Sequence, residues 1–239
     1  MLKFFIIILF SISLFASNQS ILKSLNTETI KNKKESTVSF IVFNLDDVLL
    51  NTSTRFEFIF DNYLKKHRSR VLKKYFNDKN FTDLKLNDVL NDIDSLKLSK
   101  KQKEKFKKYL EENYNSDDTL GADIAIAESV NFVNSLYKNG AFIVYITKRS
   151  SKLIAPTIDK LKKINFPIAK TKTMLIMDVN DENIVNTIYS FINMGKVISV
   201  FSNDIKNISK LKPYFKKDEL FLISKDILDS KDFNIIKGF

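Results

Sequence analysis

Three short strings bring together acids, amides, hydroxyls and cations that could do chemistry, and each follows an apolar run. Ile41-Val42-Phe43 leads into Asn44-Leu45-Asp46-Asp47, Val144-Tyr145-Ile146 into Thr147-Lys148-Arg149, and Val200-Phe201 into Ser202-Asn203-Asp204 with Asn207 a turn further on. Arg149 offers a planar fork of donors that matches phosphate oxygens, and Lys148 adds a point charge beside it. Asn44 is a neutral carboxamide, a far poorer nucleophile than a carboxylate and a weaker ligand for a hard cation.

These strings gain weight from what the composition removes. The 239 residues include no cysteine, which excludes disulfides, thiolate zinc sites and cysteine nucleophiles, and the single His67 leaves no Ser-His-Asp apparatus or histidine-rich metal centre. His67 reads as a surface residue. Lysine and arginine outnumber aspartate and glutamate by 39 to 28, a net charge of +11, which favours anionic surroundings or partners.

The elements that must hold the strings follow from the apolar pattern. Val38 to Leu45, Ala141 to Ile146, Thr173 to Met177, Val197 to Phe201 and Leu220 to Ile223 are short, near-continuously apolar runs, as strands covered on both faces of a parallel sheet should be. Between them Ile124, Ala127, Val130, Phe132, Val133, Leu136 and Tyr137 fit a helix closed by Asn139-Gly140. Leu153, Ile158, Leu161 and Ile164 fit another that ends before Pro167. The alternation predicts a doubly wound, Rossmann-like α/β sheet built from residues 38–53 and 120–239. Residues 54–119 carry helical patterns such as Phe56, Phe60, Tyr63 and Leu64 and no strand, so they are expected to form a helical cap inserted after the first strand. Most of the excess positive charge falls there, with fifteen basic and eight acidic side chains between Lys65 and Glu112.

Ahead of the sheet, Phe4 to Ala16 is a mostly apolar run of signal-peptide length, too short to span a bilayer, behind the positive start Met1-Leu2-Lys3. Residues 1–16 are therefore expected to direct export to the periplasm, cell envelope or exterior, as a cleaved signal or as an uncleaved N-terminal membrane anchor. Residues 17–37 read as a polar tether.

In an open α/β sheet, ligands bind beyond the carboxyl ends of the strands, where all three strings lie. Their order and spacing resemble the motifs of the haloacid dehalogenase-like (HAD) superfamily, and in particular its acid phosphatase branch, subfamily IIIB with the class B and class C enzymes. The likeness runs from about Val38 to Ile223. It implies a nucleophilic aspartate at position 44, an acid/base carboxyl at Asp46, a phosphate-binding hydroxyl at Thr147 with Lys148 and Arg149 beside it, and magnesium held by positions 44, 46, 203 and 207.

This chain departs from the pattern at three of those positions, where Asn44, Asn203 and Asn207 stand for acids. Asp204, one residue out of register, is the remaining acid for a metal. The family's lysine near residues 178–183 has no counterpart, leaving Lys148, Lys170 or Lys172 to reach in. The expectation is an exported acid phosphatase-like protein that has lost phosphomonoesterase activity, binds magnesium weakly or not at all, and holds phosphate, a phosphorylated ligand or a partner without metal. Two alternatives stand beside it. One is an active magnesium-dependent phosphatase or nucleotidase in which Asp46 or Asp47 replaces Asn44 as nucleophile. The other is adhesion to an anionic polymer through the lysine-rich run Lys97 to Lys108, with no specific nucleic-acid motif.

Overall fold

The computed structural model describes residues 19–81, 84–224 and 230–236. Six parallel strands form the main sheet. In chain order these are β1 (Ser39–Asn44), β4 (Phe142–Ile146), β5 (Thr173–Ile176), β6 (Lys196–Ser202), β7 (Leu220–Ile223) and β8 (Asn234–Ile236). Across the sheet they run β5-β4-β1-β6-β7-β8, which places β1 between β4 and β6. Both faces are apolar because successive side chains point to opposite sides. Ile41 and Phe43 pack into one core layer and Phe40 and Val42 into the other. Phe43, Phe201 and Phe221 stack in a ladder over three neighbouring strands, with ring centroids 4.7 and 4.8 Å apart; each such pair contributes about 0.5–1.5 kcal/mol beyond its buried area.

Helices α7 (Ser129–Lys138), α8 (Ile154–Lys163), α9 (Ile184–Tyr189) and α10 (Ile205–Leu211) connect the parallel strands. A second small sheet pairs β2 (Leu50–Asn51) with β3 (Ile124–Ala125) in antiparallel fashion. This ribbon marks the two chain crossings into the helical segment, which holds α2 (Thr54–Lys66), α3 (Arg70–Asp78), α4 (Leu86–Ser95), α5 (Lys100–Tyr114) and α6 (Asp117–Leu120). Phe56, Ile59, Phe60 and Tyr63 recur at helical spacing on α2 and meet Leu72, Val89, Ile93, Phe106 and Leu110 in a core of their own. The lysines of α5 stay outside it: Ser99 caps the helix in a reciprocal box with Gln102, and Phe106 and Leu110 alone are buried.

Three sequence expectations need correction. Residues 19–34, read as part of a polar tether, form a helix, α1. Its buried Leu25 joins the core, and a Lys196–Glu28 ion pair ties it to β6; four apolar residues spaced among serine, asparagine and lysine make too narrow a stripe to stand out. Ile124, assigned to the start of a helix, lies in β3, and that helix begins at Ser129. The edge strand β8 was missed because its run is only three residues long. The expected signal or anchor, residues 1–16, lies outside the described residues.

Candidate active site

β1 ends at Asn44 opposite Ile146 of β4, so the residues that follow each strand emerge side by side. The chain then turns sharply: the amides of Leu49 and Leu50 both donate to the Leu45 carbonyl, at 3.1 and 3.0 Å, while Val48, Leu49 and Leu50 sink into the core. That turn holds Asp46 over the end of β4. Thr147 is fixed by a backbone bond to Ile176 of β5, and its hydroxyl donates to Asp46 Oδ2 at 2.6 Å. Asn44 faces the other way, toward β6, where its Nδ2 donates to Asn203 Oδ1 at 2.8 Å.

The structure thus brings Asn44, Asp46, Thr147, Arg149 and Asn203 together at one end of the sheet. Arg149 donates through Nε to both carboxylate oxygens of Asp46, at 3.0 and 3.2 Å, and through Nη2 to Oδ1 at 2.5 Å. Arg55, in the first turn of α2, reaches the same oxygen through Nη2 at 2.9 Å. Burial opposes ionisation of Asp46, but the charges of Arg149 and Arg55 and the bonds from Arg149 and Thr147 outweigh it and hold the carboxyl far below the usual carboxylate range. Its carboxylate thus accepts from three side chains at once.

Lys148 points elsewhere. Its Nζ pairs with Asp181 at 2.7 Å and lies 3.6 Å from Asp204. Asp204 in turn caps α10 by accepting from the Lys206 amide at 2.9 Å. Asp47 adopts a left-handed backbone and turns its carboxylate to Thr52, accepting from the backbone N at 3.2 Å and the hydroxyl at 2.6 Å, while burial pushes its pKa up. Asn207 is buried, and its Oδ1 has no partner among the described residues.

Sequence reasoning missed Arg55, Asp123 and Asp181. Asp123 is fully buried and accepts from Arg55 Nε at 2.6 Å and from Arg149 Nη2 at 2.7 Å. A signal was present: the chain has four arginines against 35 lysines, and two of the four, Arg55 and Arg149, are these buried ones. Where lysine is the default cation, an arginine marks a place that needs a fork of donors.

The three motif strings lie around a central parallel strand, and a helical segment follows that strand. The chain has a HAD-like fold and matches a HAD family model over part of its length. Residues 89–189 match the HAD family described as subfamily IIIB, acid phosphatase. That stretch contains Thr147 and Arg149 and leaves out Asn44 and Asn203. Among solved HAD-like structures, an inferred phosphatase of Clostridium difficile has a TM-score of 0.54 at 13% identity, over 84% of this chain and 89% of that one. An inferred haloacid dehalogenase-like hydrolase of Bacteroides fragilis gives 0.50 at 12%, over 84% and 97%. The class C acid phosphatase of Bacillus anthracis with tungstate bound gives 0.48 at 12%, over 95% and 78%. A search of curated proteins found no match.

HAD phosphatases generally use magnesium, and the residues here do not fit it. The Asn44 amide orientation is fixed by the Asp46 backbone carbonyl, a pure acceptor, to which Nδ2 donates at 3.3 Å. The same Nδ2 serves Asn203, so its two hydrogens point at the two oxygens that a cation in this corner would need. The other oxygens are neutral amides or, in Asp204, a carboxylate already used by α10 and Lys148. Magnesium favours carboxylates in octahedral array, and among the described residues no three acidic or imidazole groups gather to supply one.

Proposed function

We propose that this HAD-like protein does not hydrolyse phosphomonoesters and that its former catalytic corner serves as a structural clasp, leaving a binding or scaffolding role. The Asn44 carboxamide carries the reading: its NH2 group bridges Asn203 Oδ1 and the Asp46 carbonyl. An amide cannot supply the attacking oxygen as a carboxylate does, and its hydrogens stand where positive charge would have to sit. Asp46 supports the same conclusion, because two guanidiniums hold it ionised when protonation of a leaving alcohol calls for a neutral acid. Asp47, turned onto Thr52, is no substitute nucleophile.

The test is p-nitrophenyl phosphate hydrolysis with and without magnesium, run on the unaltered chain. No turnover above a denatured control is expected. Magnesium-dependent turnover that disappears in Asp46→Asn would overturn the reading and restore the enzyme alternative. The apolar start from Phe4 to Ala16 supports an exported location, which cell fractionation would test.

A further inference from the structure

Four ionised side chains close on one another where the cap crosses to the core. Asp46 and Arg149 come from the ends of β1 and β4, Arg55 from the start of α2, and Asp123 from the return crossing just before β3. Arg55, Arg149 and Asp123 are no more than 1% exposed, whereas Asp46 keeps 24% of its side chain open. Arg55 Nη1 bonds Asn115 Oδ1 at 2.8 Å and the Tyr114 carbonyl at 3.5 Å, Arg149 Nη1 reaches Thr157 Oγ1 at 3.4 Å, and the Nε and Nη2 donors of both arginines go to the two aspartates. Two positive and two negative charges cancel.

The role of Asp46 in this set differs from that of Asp123. Asp123 lies beneath both arginines, fully enclosed. Asp46 lies at the open edge, and its two oxygens receive a hydroxyl from Thr147, Nε and Nη2 from Arg149 and Nη2 from Arg55. A hydroxyl with convergent guanidinium donors is the coordination a tetrahedral oxyanion takes. Without the Asp46 carboxylate, the same donors would face one solvent-accessible point with one positive charge in excess.

We propose that Thr147, Arg149 and Arg55 form an oxyanion cradle whose resident ligand is the chain's own Asp46, so that external phosphate is kept out by an intramolecular competitor. This rests on the non-hydrolysing reading of the site and adds how the site is regulated: an oxyanion enters only when Asp46 leaves. Lys148 does not offer a second entry, because Asp181 and Asp204 already face it. On this proposal the expected metal-independent phosphate binding becomes a latent capacity. Because Arg55 and Asp123 flank the two crossings, the occupant of the cradle also helps fix the cap on the core.

The experiment titrates inorganic phosphate into the full chain, Asp46→Ala and Asp46→Ala/Arg149→Gln at matched ionic strength, by calorimetry and by thermal melting. The unaltered chain is expected to bind no phosphate at millimolar concentration, and Asp46→Ala to bind one equivalent at least about tenfold more tightly. Phosphate should raise the melting temperature of Asp46→Ala alone, since a ligand stabilises the state it binds. Adding Arg149→Gln should abolish both effects. If Asp46→Ala fails to fold, Asp46→Ser, which likewise shortens the side chain and removes the carboxylate, carries the same test. Equal binding by the unaltered chain, no binding by the Asp46 variant, or binding that survives Arg149→Gln would each overturn the proposal. Hydrolysis by the unaltered chain would instead overturn the non-hydrolysing reading, so the two failures are separable.

Discussion

Asn44 Nδ2 and Asn203 Oδ1 meet at 2.8 Å across 159 residues of sequence, joining the ends of β1 and β6 through an amide pair. A single acid placed at position 44 breaks that pair. In Asn44→Asp the new carboxylate faces two acceptors. Asn203 can turn its amide to donate, but the Asp46 carbonyl cannot, so an oxygen–oxygen contact remains. The variant is expected to lose about 1–3 kcal/mol of stability and to show no turnover. In Asn44→Asp/Asn203→Asp two carboxylates would confront each other, and magnesium should raise the melting temperature by several degrees in this double variant while leaving the unaltered chain unmoved. Thermal melts with magnesium or a chelator read both results.

Adjacent residues 148 and 149 should differ sharply in what they contribute. Arg149 is buried against Asp46 and Asp123, and removing it leaves two carboxylates sharing Arg55. Arg149→Met is expected to cost about 3–5 kcal/mol, the range for breaking one partner of a buried ionic group. Lys148 is more than half exposed, and its pairs with Asp181 and Asp204 sit at the surface. Lys148→Ala should cost less than about 1 kcal/mol. Urea denaturation midpoints compare the two directly.

How much of this was readable in advance depends on the kind of pattern each feature leaves. The five long strands announce themselves as apolar runs because both of their faces are covered, and Leu220–Ile223 falls where the run places it. Asn44, Asp46, Thr147 and Arg149 were legible because a strand end converts sequence position into spatial neighbourhood, and the structure does bring them together. What the side chains do there was not legible. Thr147 and Arg149 read as phosphate ligands, yet their donors meet Asp46, a partner about a hundred residues away. Arg55 and Asp123 each look like ordinary surface charges until the two crossings are laid side by side. Helix α1 escaped notice since its burial rests on few residues, Leu25 chief among them.

Gly195 lies at the turn into β6, where the Lys196 amide bonds the Val38 carbonyl at 2.8 Å. A Cβ at this position would stand 2.5 Å from that same carbonyl oxygen and 3.0 Å from the Phe40 ring. The backbone of a central strand cannot retreat without disturbing β1, which carries Asn44. Gly195→Ala is therefore expected to destabilise by about 1–3 kcal/mol, the usual cost of overpacking, with a matching fall in the denaturation midpoint.

Within the cap, Asp92 on α4 accepts from the Tyr75 hydroxyl at 2.8 Å and pairs with Lys79 at 2.7 Å, tying α4 to α3 and its C-terminal flank. The hydrogen bond from Lys79 is the main influence on its pKa; with Tyr75 it prevails over partial burial and lowers the pKa below the ordinary 3.8. For an acid with a depressed folded-state pKa, the stabilisation is complete above the unfolded value and is lost as pH falls below it. Stability of the unaltered chain should thus decline from about pH 4 downward in part through this residue. Asp92→Asn has no proton to gain there, so its urea midpoint should start lower at neutral pH and fall less steeply on acidification. Parallel acid limbs for the two chains would show that Lys79 and Tyr75 do not hold the Asp92 carboxylate in solution.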